Sequence, residues 1–160
     1  MNKFVEKLDR VFTKSVEAFT FVGFIAMILL VFVNVLGRFI FRMGITESEE
    51  IARILFVWIT YMGAILCFKT NSHVLVDILI NFLHGTSRKI VDTISNLMVT
   101  GILALTFYHS LNLIKVNMGT LTPLTKIPLA LVEAIVPISM LIMLIINLYK
   151  MVQIILKKYD

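Results

Sequence analysis

The side chains in this sequence that could do chemistry are few, and most of them gather where one apolar stretch begins. In "ITESEEIARILFVWIT", Ile45 to Thr60, the carboxylates of Glu47, Glu49 and Glu50 and the guanidinium of Arg53 lead straight into a run of Ile, Leu, Phe, Val and Trp. Two carboxylates can serve as general acid and base only if they face one reacting atom. Glu49 and Glu50 are adjacent, so on a helix their side chains splay ~100° apart. The spacing suits ion pairing instead: Arg53 stands four residues after Glu49 and three after Glu50, both within reach on a helix surface. Thr46 followed by Glu49 has the capping-box pattern of a helix start, and carboxylates in a first turn favour the positive end of the helix dipole.

The remaining candidates are scattered. A haem held between membrane helices needs two histidines facing each other from different spans. Of His73, His84 and His109, only His109 lies well inside an apolar run. No HxxxH or CxxC pair and no glycine-rich phosphate loop occurs, and Cys67 is the single cysteine. Neither a cofactor nor a metal site is therefore expected, and the protein is not expected to be an enzyme. Glu133 follows Pro128 by five residues, only ~8 Å into its helix by helical rise. That depth is shallow for a proton-carrying site and suits an outer-leaflet contact or a bond to a neighbouring helix.

The elements that must position these groups follow from the hydropathy pattern. The 160 residues are 59% hydrophobic, with a mean hydropathy of +0.94, against the ~45–50% apolar residues of an ordinary soluble domain. Apolar runs long enough to cross a bilayer, which takes ~20 helical residues, cover about 19–41, 49–68, 87–116 and 128–149. The expectation is an all-α integral membrane protein with four transmembrane helices, forming a single membrane domain over 1–160. Pro128 suits the first turn of the last helix, and Pro137 should kink it. The stretch "HVLVDILINFLH", about 73–84, is too short to span. His73, Asp77 and Asn81 recur every four residues on one face and apolar residues take the other, the pattern of an amphipathic helix lying in the membrane interface. An extension of the second span, bent at Asn71–Ser72, is the other reading.

With four spans, ten Lys and Arg residues fall on the side of the two termini and four on the opposite side. That asymmetry places both termini in the cytoplasm. The net charge of +5 thus records orientation, and no run of like charges points to nucleic acid. Glu49 and Glu50 then open a helix descending from the outer face. Asn34 and Arg38, four apart near the outer end of the first span, would meet them across a tight turn, so that Asn34, Arg38, Glu49, Glu50 and Arg53 form a polar cluster. The cluster could brace the hairpin or face another protein. Trp58, ~12 Å below Glu50, with Gly63 beyond it, reads as a helix-packing surface, because small residues allow close approach. Packing surfaces and polar edges without a substrate pocket indicate a partner subunit. A membrane anchor of a redox enzyme binding haem or quinone, and an autonomous small four-helix transporter, are the alternatives.

Several of these pieces, in order, resemble the small membrane subunit (DctQ type) of the tripartite ATP-independent periplasmic, or TRAP, transporters. "GRFIF" at Gly37 to Phe41 is similar to the Arg-aromatic-x-Phe ending of that family's first span. "SEEIARILFVWITYMGA" resembles its Glu-Glu start with a following Trp and Gly, "HVLVDIL" its His-x-x-x-Asp segment, and "KIPLALVEAIVPIS" its Ile-Pro opening of the last helix with a second proline. The sequence departs from the pattern at Asn71–Ser72, where glycine is common, and at "LHG", where a proline is usual. The resemblance implies a scaffold in the bacterial inner membrane with a large multi-span partner subunit (M type) and a periplasmic substrate-binding protein. Together these would form a sodium-coupled importer of organic acids such as C4-dicarboxylates or sialic acid. It also implies contact with membrane lipids and none with nucleic acid.

Overall fold

A computed structural model describes residues 3–40, 42, 44–70 and 86–156. Over these the chain is helical: α1 Lys3–Ile40, α2 Thr46–Lys69, α3 Thr86–Asn117, α4 Leu129–Glu133 and α5 Ile135–Leu156. No strand occurs among the described residues, apart from an isolated antiparallel bridge between Leu121 and Pro128. Four stretches are long and apolar enough to cross a membrane: Asp9–Ile40, Thr46–Lys69, Thr93–Asn117 and Leu129–Val152. The expected all-α, four-span architecture is therefore what the chain adopts. The 73–84 segment, with His73, Asp77 and Asn81, lies outside the described residues.

α5 is the central element. It packs against α3 on one side and α2 on another, and α2 carries α1 on its far side. Among the described residues α1 makes no close backbone approach to α3 or α5. The core lies where the other three long helices meet, at Ile65 of α2, Leu103 of α3 and Met143 of α5, with Phe68, Val99, Met140 and Ile146 around them. α2 is consequently buried on two faces. Ser48, Ala52 and Ile59 share one face at helical spacing, while Glu50 and Ile65 lie away from it.

Hydroxyls within the spans return to their own helices. Thr20, Thr60, Thr100 and Thr106 each donate to the carbonyl four residues earlier, so none is left unsatisfied in an apolar surround. The longer polar side chains instead join helices. Asn147 of α5 donates to the Asn96 carbonyl at 3.1 Å and to the Thr100 hydroxyl at 2.8 Å on α3. Lys69, ending α2, pairs with Asp9 at 2.6 Å and donates to Thr13, both on α1. Lys150 of α5 donates to the Phe68 carbonyl and sits 4.9 Å from the centre of the Phe68 ring. The start of α1, the end of α2 and the end of α5 thus share one end of the molecule, the terminal end. The turn before α2 and the loop before α4 lie at the opposite, loop end.

α1 begins at Lys3, so polar residues before the apolar run extend the same helix. One local expectation needs correction. The capping box at Thr46 is not formed: the helix starts on Thr46 with Ile45 as an extended N-cap, and no side chain caps it. Ile45's own N–H goes to the Asn34 side chain, and the Ser48 hydroxyl donates to the Ile45 carbonyl. In the last span the disturbance expected from Pro137 is present and falls one turn ahead of it, at Ala134, which keeps α-helical backbone angles (φ −57°, ψ −27°). α4 ends at Glu133 and α5 resumes at Ile135. Pro137 has no N–H for the Glu133 carbonyl, and its ring clashes with that carbonyl, so the helix yields one turn before the proline. The next bond, from the Ile138 N–H to the Ala134 carbonyl, is long at 3.4 Å.

Candidate functional site

The loop end is where buried polar groups concentrate. Asn34, in the last two turns of α1, is 8% exposed. Its Oδ1 accepts the Ile45 N–H at 2.9 Å, and its Nδ2 donates to Glu49 Oε1 at 3.3 Å. One amide therefore ties the end of the turn and the first turn of α2 to α1. Arg38, one turn further along, approaches the same Glu49 oxygen at 3.9 Å. Both side chains are well exposed, at 75% and 54%, so this pair is worth ~0.2–1 kcal/mol at most.

Glu50 points the other way. It is 8% exposed, and its Oε2 accepts the backbone N–H groups of Leu124 at 3.2 Å and Thr125 at 2.6 Å. Those donors belong to a tightly wound loop. Thr122 N–H bonds the Ile127 carbonyl at 2.9 Å, Leu129 N–H bonds the Thr120 carbonyl at 2.9 Å, and the Thr122 hydroxyl accepts the Ile127 N–H at 3.0 Å. Lys126 takes a left-handed φ of 57° to close the loop. A carboxylate that accepts two adjacent N–H groups forms charge-assisted bonds, roughly twice as strong as neutral ones. Glu50 thereby latches the α3–α4 connection onto the α1–α2 hairpin.

A third junction involves Glu133 at the end of α4. Its Oε1 accepts Asn117 Nδ2 at 2.7 Å, which holds α4 to the end of α3. Its Oε2 is buried and has no partner among the described residues. The bond to a neighbouring helix expected of this residue is present.

The predicted cluster is therefore divided in space. The structure brings Asn34, Arg38 and Glu49 together. It turns Glu50 away from them to the loop at Leu124 and Thr125, and it leaves Arg53 exposed without an ion pair among the described residues. Trp58 packs on α1, its ring 6.5 Å from that of Phe19 and tilted by 49°. Gly63 has open space where a Cβ would be, so no described helix of this chain uses its smallness. The close contact falls at Gly23, where an added Cβ would sit 3.2 Å from the Ile59 side chain. Sequence reading missed Gly23, Thr122, Leu124 and Thr125. The turn-forming run "LTPLTK" was the only signal for the last three, and backbone N–H donors carry no residue-type signature.

Among the described residues no group of three or more His, Cys, Asp or Glu could hold a metal ion. At the loop end Glu49, Glu50 and Glu133 each serve as a hydrogen-bond acceptor between elements, an arrangement that joins helices and sets their register.

Comparison with known proteins points the same way. The sequence profile of the family described as tripartite ATP-independent periplasmic transporters, DctQ component, matches residues 27–157. A small permease protein assigned to TRAP transporters in Haemophilus influenzae is 35% identical over 102 residues, 64% of this chain and 63% of that protein. A second from the same organism is 35% identical over 121 residues, 76% of this chain and 73% of its own length. The C4-dicarboxylate TRAP transporter small permease protein DctQ of Vibrio cholerae is 38% identical over 80 residues, 49% of this chain and 34% of that protein.

Proposed function

Because the chain belongs to the DctQ-component family of the tripartite ATP-independent periplasmic transporters, we propose that it is the static scaffold subunit of a sodium-coupled importer of organic acids. It is a multi-pass membrane subunit of such a transporter; the scaffold role, the coupling ion and the solute are the reading offered here. The large membrane subunit would carry the solute and sodium sites and move, while this chain stays fixed. A periplasmic binding protein would deliver the solute. The name of the Vibrio relative and the family resemblance favour a carboxylate-bearing solute, a C4-dicarboxylate or a sialic acid.

The observation that carries this reading is the use made of the buried polar groups. Asn34 and Glu50 are both consumed in cross-links between elements, two bonds each. Latched at the loop end by Glu50 and at the terminal end by Lys150, the two halves of the chain resist relative movement. That rigidity suits a brace. In this reading the loop end faces the periplasm and both termini the cytoplasm. Arg38 and Glu49 are then exposed toward a docking protein, Arg53 reaches the same surface by snorkelling from one turn below Glu49, and the open surface at Gly63 admits a helix from outside the chain.

The test is reconstitution. Proteoliposomes containing this chain, the large subunit and the binding protein should take up the organic acid when a sodium gradient is imposed, and omitting this chain should abolish uptake. Solute flux through this chain alone, or full uptake without it, would overturn the scaffold role.

A further inference from the structure

The second and the last span agree on the position of the bilayer, and α1 does not. Lys150 of α5 reaches the Phe68 carbonyl, so the polar ends of α5 and α2 are level. At the other end Glu50 is level with Leu124 and Thr125, just ahead of α4. The apolar slab on α2 therefore lies between Glu50 and Lys69, ~27 Å by helical rise, close to the ~30 Å of a hydrocarbon core.

The register of α1 against α2 is pinned at three heights. Asp9 and Thr13 meet Lys69, Gly23 meets Ile59, and Asn34 meets Ile45 and Glu49. Carried across, the slab covers α1 from about Thr13 to just short of Asn34. The apolar run of α1, however, extends from Phe19 to Ile40. It is displaced toward the loop end by about six to seven residues, ~10 Å along the axis. Two consequences follow. Glu17 and Lys14 fall within the slab, both exposed and neither ion-paired among the described residues. At the far end Phe39, 87% exposed, stands beyond the slab.

The misplaced groups share a face. Lys14, Phe21, Ile28, Phe32 and Phe39 are spaced seven, seven, four and seven residues apart, a single stripe on a helix, with Glu17 beside it. The stripe lies roughly opposite Val16, Gly23 and Asn34, which face α2. Phe21, Ile28 and Phe32 are 66%, 48% and 57% exposed. Lipid tails would satisfy those three, but they offer nothing to the Glu17 carboxylate and do not reach Phe39. A carboxyl group at this depth calls for a protein partner or water.

On the reading above, we propose that this stripe of α1 is the seat of the large membrane subunit. The occupant is a transmembrane surface of that subunit, apolar along the middle of the stripe. It bears a basic or hydrogen-bond-donating side chain at the depth of Glu17, and it extends past the outer edge of the bilayer to cover Phe39. The outward face of α3 is the contrast. Met98, Ile102 and Leu105, 65%, 62% and 63% exposed, form a wholly apolar stripe at the depth of the core and suit lipid.

The experiment places the photocrosslinker p-benzoylphenylalanine at Phe21 or Phe32, and separately at Met98 or Leu105. The chain is co-expressed with its tagged large subunit and irradiated in native membranes. The α1 positions should give at least about tenfold more adduct with the large subunit than the α3 positions, since only the former would lie in a protein interface. Adduct from α3 and none from α1, in membranes where the two proteins still copurify, would overturn the assignment. Failure of the unmodified chain to copurify with the large subunit at all would instead overturn the scaffold reading on which it rests. A second measurement isolates the charge. Glu17→Lys should cut the large subunit retained on this chain about tenfold, and Glu17→Gln, which keeps an acceptor, should retain most of it. Unchanged retention by Glu17→Lys would exclude Glu17 from the interface.

Discussion

Among single residues, Glu50 and Arg38 look alike in the sequence, one charged group each near the turn between two spans, and the structure gives them very different weight. Glu50 is buried and accepts two backbone N–H groups; Arg38 is exposed and 3.9 Å from its partner. Removing a buried acceptor leaves its donors without partners. Glu50→Ala should therefore lower the thermal unfolding midpoint of the purified protein in detergent, and Glu50→Gln should lower it about half as much. Arg38→Ala should cost no more than a few tenths of a kcal/mol, as exposed pairs do. Equal losses for Arg38→Ala and Glu50→Ala would show that the latch to the loop is not what stabilises this end. The sequence could indicate that a carboxylate so close to a span needs a partner. It could not indicate that the partner is the backbone of residues 124 and 125.

The helices meet by two devices, close approach at a small residue and polar ties near their ends. Two glycines allow a direct comparison. Gly23 lets α1 come within van der Waals contact of Ile59, and a side chain there has no room; Gly63 faces open space. Overpacking a tight contact costs ~1–3 kcal/mol. Gly23→Leu should accordingly destabilise the isolated chain by that amount in the same thermal assay. Gly63→Leu should leave the isolated chain close to the parent and show its effect only on retention of a partner. If Gly63→Leu proves the more damaging to the isolated chain, α2 packs within this chain by its other face. Both glycines lie in apolar runs, and no pattern distinguishes them in one dimension. The proline is a similar case. Pro137 marks a disturbance from its chemistry alone, yet the helix gives way at Ala134, because the clash falls on the carbonyl four residues earlier.

The described residues form an asymmetric assembly: α2, α3 and α5 lie around one core, and among these residues α1 is attached through α2 alone. The first turns of α1 and the last turns of α5 lie at the same end, because Asp9 meets Lys69 and Lys150 meets Phe68. In a Cys67→Ser background, a membrane-impermeant maleimide should therefore label Lys7→Cys and Val152→Cys from one side of the membrane and Lys126→Cys only from the other. Labelling of the first two from opposite sides would contradict the four-span arrangement. By itself the sequence determined the number and rough placement of the spans, because burying backbone in lipid demands long uninterrupted apolar helices and leaves little freedom. It also determined that Asn34, Arg38 and Glu49 would come near one another, because a short turn forces two helix ends to the same depth. Only the tertiary structure decided the axial offset of α1, the face of α2 on which Glu50 lies, and the glycine that permits close packing. Each of those depends on how one helix slides and rotates against another. Hydropathy is nearly blind to such movements, since an apolar helix presents much the same surface after a shift of a turn or two.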